Sequence, residues 1–271
     1  MTPVATILRP LTIGELLDHT FFLYRRHVTL FVGIAALPSL LLLVFQLLPI
    51  FVTPIDPLAT ALWSIGTLFV YWTTTTLAHG ATVIAVSEVL LERPTSIAEA
   101  FQTIRPRLGR LIHISLEVGL RVLLGFLLLI VPGVLLTLRY ALVIPAAVLE
   151  DLGVRQSLSR SGELTKGHRG RIFLVYVLLL VLVTIGTMTW PFLVTTAATM
   201  VLRSAEAVRT AVWVQVLLHF GSFVAQSLLG PIMTIALTLV YYDERVRKEA
   251  FDLEHMMRQL DTTVLRTPRT A

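Results

Sequence analysis

Long apolar blocks separated by arginine-rich connectors constrain this chain more than any single motif. Residues 150–171 carry five cations, and residues 12–27 and 96–110 share the same outline: a short amphipathic helix, a basic cluster and then an apolar hairpin. A connector this highly charged stays in water or among lipid headgroups, because burying each charge in hydrocarbon is costly. The sequence therefore predicts that the apolar blocks cross a membrane in pairs.

The composition agrees with a membrane location. Of the 271 residues, 55% are hydrophobic and 14% charged, and the mean hydropathy is +0.81. A soluble domain of this length has too little interior to bury so much apolar surface, so we expect an integral membrane protein. The net charge is +5, and the basic residues lie beside apolar blocks. This position favours anionic lipid over nucleic acid as the partner of the basic residues. The absence of cysteine excludes disulfides and thiolate chemistry.

The predicted fold is an all-α polytopic membrane protein with about six transmembrane helices arranged as three hairpins. A crossing takes about 20 helical residues. Pro132-Gly133 is interpreted as the tight turn of the second hairpin, and Arg139 falls in the first turns of the span that follows. A re-entrant hairpin is the alternative for the third and fourth spans, which form the second hairpin. The expected spans are residues 28–50, 58–89, 111–131, 134–149, 172–202 and 211–241.

The whole of residues 1–261 is predicted to form a single integral membrane domain. Its units cover about 12–91, 96–149 and 153–241, and each consists of a cytoplasmic amphipathic helix followed by a hairpin. Thr12 with Glu15 and Ser96 with Glu99 have the spacing of a helix-starting capping box, of which Gly153 with Gln156 is a weaker version. A tail helix over 244–260 and a disordered tail over 262–271 complete the expectation. We interpret the alternating acids and bases of the tail helix, from Asp243 to Glu254, as a solvated, salt-bridged surface.

The distribution of basic residues predicts the orientation. Eighteen of the 22 Lys and Arg residues fall in the four segments that lie on one side of this arrangement. Because cytoplasmic loops of membrane proteins are enriched in Lys and Arg, both termini should be cytoplasmic in a multi-pass protein of the cell inner membrane.

Polar residues recur at helical spacing inside three of the spans. His113, Glu117 and Arg121 form one column, and two others lie in the second and last spans. They indicate either a hydrated cavity or hydrogen bonds between helices that pack through small residues such as Gly221. The intramembrane candidates are His79, His113, Glu117, Arg121, Arg139, Gln215, His219 and Gln226, with Tyr71, Thr75, Thr82 and Ser222 completing the columns.

The basic connectors supply candidates for headgroup or partner binding. Membrane lipids with anionic headgroups and protein partners in a membrane complex are the expected partners. The segment 159–162 is interpreted as a basic, polar turn that contacts phosphate or headgroups. The candidates are Arg25, Arg26, Arg107, Arg110, Arg155, Arg160, Lys166, Arg169 and Arg171.

Motifs for catalysis are missing from the sequence. It contains neither a His-Glu-x-x-His zinc motif, nor a phosphate-binding glycine loop followed by Lys-Ser/Thr, nor a Gly-x-Ser-x-Gly nucleophile motif. We therefore expect no catalytic residues, no metal and no cofactor.

Three segments resemble one bacterial family: LRPLTIGELLDHTFFLYRRH, PGVLLTLRYALVIPAAVLEDLGVRQSLSRSGELTKGHRGRI and YYDERVRKEAFDLE. They are similar to the membrane domain of glycerophosphoryl diester phosphodiesterase. In the enzymes that give the family its name, hydrolysis belongs to a separate soluble barrel domain, which has no counterpart in this sequence. The resemblance implies a stand-alone six-span membrane module and transfers no catalytic residues.

Three functional hypotheses remain open at this point. The first is a non-catalytic membrane module that binds or organises lipid or partner proteins through its basic cytoplasmic face. The second is a carrier or channel for a small polar or amphiphilic solute that uses the intramembrane columns. The third is an accessory subunit of a larger membrane complex.

Overall fold

The computed structural model describes residues 11–51 and 56–264, with the backbone alone described for 51, 205, 209 and 250–264. In these residues all regular secondary structure is helical, which confirms the all-α class. A short 3-10 turn, Arg105–Arg107, precedes the fifth helix. The α-helices are α1 (Ile13–Arg26), α2 (Val28–Phe51), α3 (Pro57–Leu90), α4 (Ile97–Ile104), α5 (Leu108–Leu128), α6 (Ile130–Tyr140), α7 (Val143–Leu149), α8 (Val154–Thr165), α9 (Arg169–Leu202), α10 (Ala205–Thr210) and α11 (Val212–Val264).

The capping boxes predicted for α1 and α4 are both formed. The Thr12 N–H donates to Glu15 Oε2 at 2.8 Å, and the Glu15 N–H donates back to Thr12 Oγ1 at 3.3 Å. Ser96 and Glu99 repeat the arrangement at 2.8 and 3.2 Å. At the start of α8 the Gly153 N–H donates to Gln156 Oε1 at 3.1 Å, and glycine has no hydroxyl to return the bond. These reciprocal bonds satisfy backbone donors that the first helical turn leaves free.

The long helices pack in pairs, α2 with α3, α5 with α6, and α9 with α11, and α11 also packs along α2. The main core lies where α1, α4 and α8 meet the ends of α3, α9 and α11; we call this end of the bundle the basic side. Its largest buried side chains include Phe31, Ile104, Leu111 and Tyr241. The apolar faces of α1 and α4 point into this core, with Leu16 and Ile104 fully buried.

Away from the basic side, large apolar side chains are exposed along the helices. Ile65 and Phe69 on α3 and Ile185 and Phe192 on α9 are examples. So much exposed apolar surface is typical of a protein whose surroundings are lipid. Five segments are long and apolar enough to cross a membrane by length and composition: Val28–Ile50, Ile97–Leu128, Ile130–Leu149, Arg169–Leu202 and Val212–Glu249.

Helix α3, the second of the six predicted spans, is not among these five segments. Its 34 residues extend about 51 Å, which is ample for a crossing. The four threonines at 73–76 lower its hydropathy. The count of six spans therefore stays a prediction.

The turn of the second hairpin is not at Pro132-Gly133, as predicted, but at Leu129, whose backbone is extended between α5 and α6. Pro132 lies in the first turn of α6, where its missing N–H removes no helical hydrogen bond. Gly133 serves close packing, because a Cβ built on it would overlap the ring of Phe126.

The remaining differences also concern where helices end. The fourth predicted span is broken between α6 and α7. Arg139, predicted in the first turns of that span, therefore lies in the last turn of α6. Residues 159–162, predicted as a turn, are part of α8. The predicted tail helix is the continuation of α11, which includes residues 262–264 of the predicted disordered tail; residues 265–271 lie outside the described part.

Candidate functional site: a cavity lined by three arginines

Three arginines from three different helices line one open cavity of about 430 Å³ on the basic side. Arg121 comes from α5, Arg139 from α6 and Arg155 from α8. Sequence spacing places the first two inside the membrane and the third in a connector, so their convergence was not predicted. Tyr140, Leu158 and Ser159 complete the lining.

The ring of Tyr140 lies close to two of the guanidinium groups. Arg121 Nη1 donates to the Tyr140 hydroxyl at 3.4 Å. The guanidinium carbons of Arg121 and Arg139 lie 5.8 and 5.7 Å from the centre of the Tyr140 ring. Contact with an aromatic face stabilises a cation. Tyr140 therefore helps to hold the two positive charges near each other despite their repulsion.

Ser161 fixes α8 against the break between α6 and α7. Its hydroxyl is buried, donates to the Arg139 carbonyl oxygen at 2.8 Å and accepts from the Leu142 N–H at 3.2 Å. The helix break leaves this carbonyl and this N–H without intrahelical partners, so the serine satisfies both. On the next residue, Gly162, a Cβ would lie 3.2 Å from Arg139 Nε. A serine and a glycine of α8 thus set where the Arg139 side chain lies relative to Arg155.

The cavity keeps a positive charge. Arg121 forms an intrahelical ion pair with Glu117. Among the described residues, no carboxylate lies within ion-pair distance of Arg139 or Arg155. At the rim, Ser159 donates to Glu163 Oε1 at 3.1 Å. Guanidinium groups bind oxyanions through paired N–H donors, so this arrangement suits an anion with several oxygens, such as a phosphate.

Four other headgroup candidates are engaged within the protein. Arg107 Nε lies 3.3 Å from Asp151 Oδ1, and Arg110 bonds to the same carboxylate. The hydrogen bond from Arg110, together with the charge of Arg107, holds the pKa of Asp151 below its ordinary value. These contacts tie the start of α5 to the α7–α8 connection.

The other two engaged candidates contact acidic residues of the long helices. Arg160 Nε donates to both oxygens of Glu150 at 2.8 and 3.0 Å, and the same guanidinium reaches Glu249 on α11. Arg171 pairs with Asp243. Arg160 and Arg171 therefore connect α8 and α9 to α11.

Asp243 and Glu244 are buried, although the alternating acids and bases of this segment predicted a solvated surface. Asp243 accepts from the Leu11 N–H at 2.7 Å and from Arg247 Nε at 2.9 Å, besides pairing with Arg171. Glu244 lies 2.6 Å from His168 Nδ1. This cluster joins the residues before α1 to α9 and α11. The sequence feature that could have indicated burial is the position of Asp243 and Glu244 directly after the apolar run of the last span.

Four headgroup candidates remain outside both the ion pairs and the cavity. Arg25 and Arg26 are exposed on α1. Lys166 is exposed at the end of α8, where its carbonyl oxygen accepts from Lys248 Nζ at 2.8 Å. Arg169 begins α9 and is partly buried. Their binding to headgroups stays a prediction.

Two of the three polar columns converge between α2, α3 and α11. His79 and Gln226 line a cavity of about 20 Å³. Gln226 also lines a neighbouring cavity of about 140 Å³ together with Tyr71 and Ser222. The third column lines neither cavity, since His113 is exposed on α5 and Arg121 belongs to the three-arginine cavity. Gln215 and His219 lie nearer the start of α11 and are partly buried.

Comparison with known proteins places this fold in a family. The family described as "Membrane domain of glycerophosphoryl diester phosphodiesterase" matches residues 114–267, more than half of the chain, and this segment contains all three arginines of the cavity. UPF0259 membrane protein SG1383 of Sodalis glossinidius (strain morsitans) is 34% identical over 88 residues, which cover 32% of this chain and 35% of that relative. No solved structure matches. The chain is an integral membrane protein and belongs to the family of the membrane domain of glycerophosphoryl diester phosphodiesterase.

Proposed function

We propose that this protein is a non-catalytic membrane module that binds an anionic lipid headgroup in the three-arginine cavity. In this proposal the basic side faces the cytoplasm, both termini are cytoplasmic and the membrane is the cell inner membrane. The excess of Lys and Arg on one side supports this orientation.

The observation that carries the proposal is the position of the cavity at the base of an apolar hairpin. Arg121 and Arg139 lie on α5 and α6 just before and after residues 122–136, which contain no polar or charged side chain. A ligand with an oxyanion at one end and acyl chains at the other matches this juxtaposition. A soluble anion would use the arginines and leave the neighbouring apolar surface uncovered.

Lipid titrations of matched charge variants test the proposal. The variant Arg139→Gln/Arg155→Gln removes two charges from the cavity, and Arg93→Gln/Arg105→Gln removes two exposed charges from the same side. Native mass spectrometry of the detergent-solubilised proteins would compare binding of phosphatidylglycerol with that of phosphatidylcholine. We expect the cavity variant to bind phosphatidylglycerol about tenfold more weakly, because it loses charge-assisted hydrogen bonds, while the control stays close to the wild type. Equal affinities of the two variants would refute a site at the cavity.

A competition experiment distinguishes binding of the whole lipid from binding of its headgroup alone. Glycerol 3-phosphate or inorganic phosphate would be added to the wild-type protein with bound phosphatidylglycerol. Its concentration would equal the lipid concentration that saturates the protein. Because acyl chains add apolar contact area, we expect neither soluble anion to displace the lipid at equal concentration. Displacement at equal concentration would assign the cavity to a soluble phosphate instead.

The convergence of polar residues from α3 and α11 favours a carrier or channel as a second candidate. The cavity beside His79 has the volume of about one water molecule, so a solute path requires the helices to move. Proteoliposomes and stopped-flow light scattering would measure glycerol entry. A rate equal to that of empty liposomes, in both the wild type and His79→Ala, would argue against this candidate for that solute.

A further inference from the structure

The hairpin formed by α5 and α6 ends in an apolar tip. Residues 127–131 are Leu, Leu, Leu, Ile and Val, and each of these residues is 68% to 81% exposed. The connection between α9 and α10 holds Arg203 and Ser204 instead, and the residue before α3 is Asp56. The tip of the α5–α6 hairpin therefore differs from the other hairpin ends in having no side chain suited to water or headgroups.

The apolar part of the hairpin has the length of half a bilayer. Arg121 lies eight residues before Leu129, and Arg139 lies nine residues after Ile130. At 1.5 Å per helical residue these distances are about 12 and about 14 Å. The hydrocarbon layer is about 30 Å thick, so a single leaflet measures about 15 Å.

A full crossing by this hairpin would be unfavourable. With the tip at the far headgroups, Arg121 and Arg139 would lie near the middle of the bilayer, where a charged side chain is strongly unfavourable. The five apolar tip side chains would at the same time meet water and headgroups. With the tip near the middle of the bilayer, the arginines lie at the headgroups and the tip lies in hydrocarbon. The second arrangement places both the arginines and the apolar tip in favourable surroundings.

We propose that α5 and α6 form a re-entrant hairpin that inserts into the leaflet on the basic side and contacts its acyl chains. This proposal requires membrane insertion but no headgroup ligand, so it goes beyond the proposed function and can fail separately from it. It assigns the complete crossings to α2, α3, α9 and α11, an even number that leaves both chain ends on one side. It also means that neither of the candidate segments Ile97–Leu128 and Ile130–Leu149 crosses the bilayer.

The backbone groups of the turn residue, Leu129, are hydrogen-bonded within the hairpin. Leu129 is the one residue between the two helices; its N–H donates to the Gly125 carbonyl oxygen at 3.1 Å, and its own carbonyl oxygen accepts from the Gly133 N–H at 3.3 Å. Pro132 has no N–H to leave unpaired. Both backbone polar groups of Leu129 are therefore paired, which lowers the cost of placing this residue in hydrocarbon, where unpaired backbone groups are unfavourable.

Cysteine labelling tests the topology, since the chain contains no native cysteine. Single-cysteine variants Leu128→Cys, Ser204→Cys and Gln156→Cys would be treated in intact cells with a membrane-impermeant maleimide. We expect Ser204→Cys to react from outside, Gln156→Cys to react once the membrane is permeabilised, and Leu128→Cys to react in neither condition. Labelling of Leu128→Cys from outside to the same extent as Ser204→Cys would overturn the proposal.

A depth measurement separates lipid contact from protein contact. A nitroxide attached to Leu128→Cys in liposomes should collide often with oxygen, which concentrates in hydrocarbon, and rarely with a water-soluble nickel complex. Frequent collision with the nickel complex would place the tip at the far surface, and rare collision with both would indicate a covering protein, such as a second copy. Either result would contradict the proposal. Val131→Cys provides a second labelling position at the tip. Only variants that elute from a size-exclusion column at the same volume as the wild type would be compared.

Discussion

At the scale of single residues, contacts across the bundle decide which polar and small side chains matter. Trp190 on α9 donates from its indole N–H to the Leu217 carbonyl oxygen at 2.8 Å, and a Cβ built on Gly221 would overlap the same indole ring. The sequence indicated Gly221 as a small residue for helix packing. Its partner across the interface is not visible in the sequence, because it lies 31 residues away on another helix.

We predict that Gly221→Ala weakens the packing of α9 on α11. The added methyl group must displace Trp190 and break its hydrogen bond, and overpacking of this kind costs about 1–3 kcal/mol. The thermal unfolding midpoint in detergent should fall. Gly14→Ala is the matched control, since no atom lies within 4 Å of the new Cβ and alanine favours a helix. A control that falls as far as Gly221→Ala would show that the contact with Trp190 is not the cause.

Asp243 should be the most sensitive carboxylate in the described part of the chain. Its side chain is fully buried and binds Arg171, Arg247 and the Leu11 N–H. Asp243→Asn leaves two partly buried cations, Arg171 and Arg247, without their charged partner, a loss on the order of 3 kcal/mol, so the unfolding midpoint should drop strongly. Asp18→Asn, at an exposed position of α1, should have little effect on the same measurement. Similar midpoints for the two variants would mean that the cluster around Asp243 does not stabilise the fold.

At the scale of helices, the sequence predicted starts better than breaks. The capping boxes of α1 and α4 depend on residues three positions apart, so local spacing was sufficient to identify them. The break between α6 and α7 depends on Ser161, which lies 19 residues beyond Leu142 and supplies a partner for its N–H. Continuation of α11 past Tyr241 likewise depends on acceptors and donors from the residues before α1 and from α9. Neither could be predicted from local spacing.

Substitutions of two arginines of α8 should have different effects, one on stability and the other on lipid binding. Arg160 pairs with Glu150 and Glu249, whereas Arg155 lines the cavity. Arg160→Gln should lower the unfolding midpoint because it leaves two partly buried carboxylates with one fewer cation. Arg155→Gln should leave the midpoint near that of the wild type and weaken phosphatidylglycerol binding. Thermal unfolding without lipid and native mass spectrometry with lipid measure the two effects. A stability loss in Arg155→Gln and a binding loss in Arg160→Gln would contradict these roles.

At the scale of the whole molecule, composition and the spacing of apolar blocks were sufficient to predict an all-α integral membrane protein. They were not sufficient to predict the candidate site. Arg121, Arg139 and Arg155 come from three helices, and the sequence placed two of them in spans and one in a connector. Their convergence depends on the early turn at Leu129 and on the end of α6 at Tyr140. Both features bring the charges of the hairpin to the level of α8.

A density map of the protein in nanodiscs containing phosphatidylglycerol, with a bound antibody fragment to aid alignment, tests the lipid-binding account most directly. We predict a phosphate within about 3 Å of the guanidinium groups of Arg121, Arg139 and Arg155, with acyl chains along α5 and α6. A map in which the cavity holds only water, while lipid headgroups are ordered elsewhere on the protein, would contradict it.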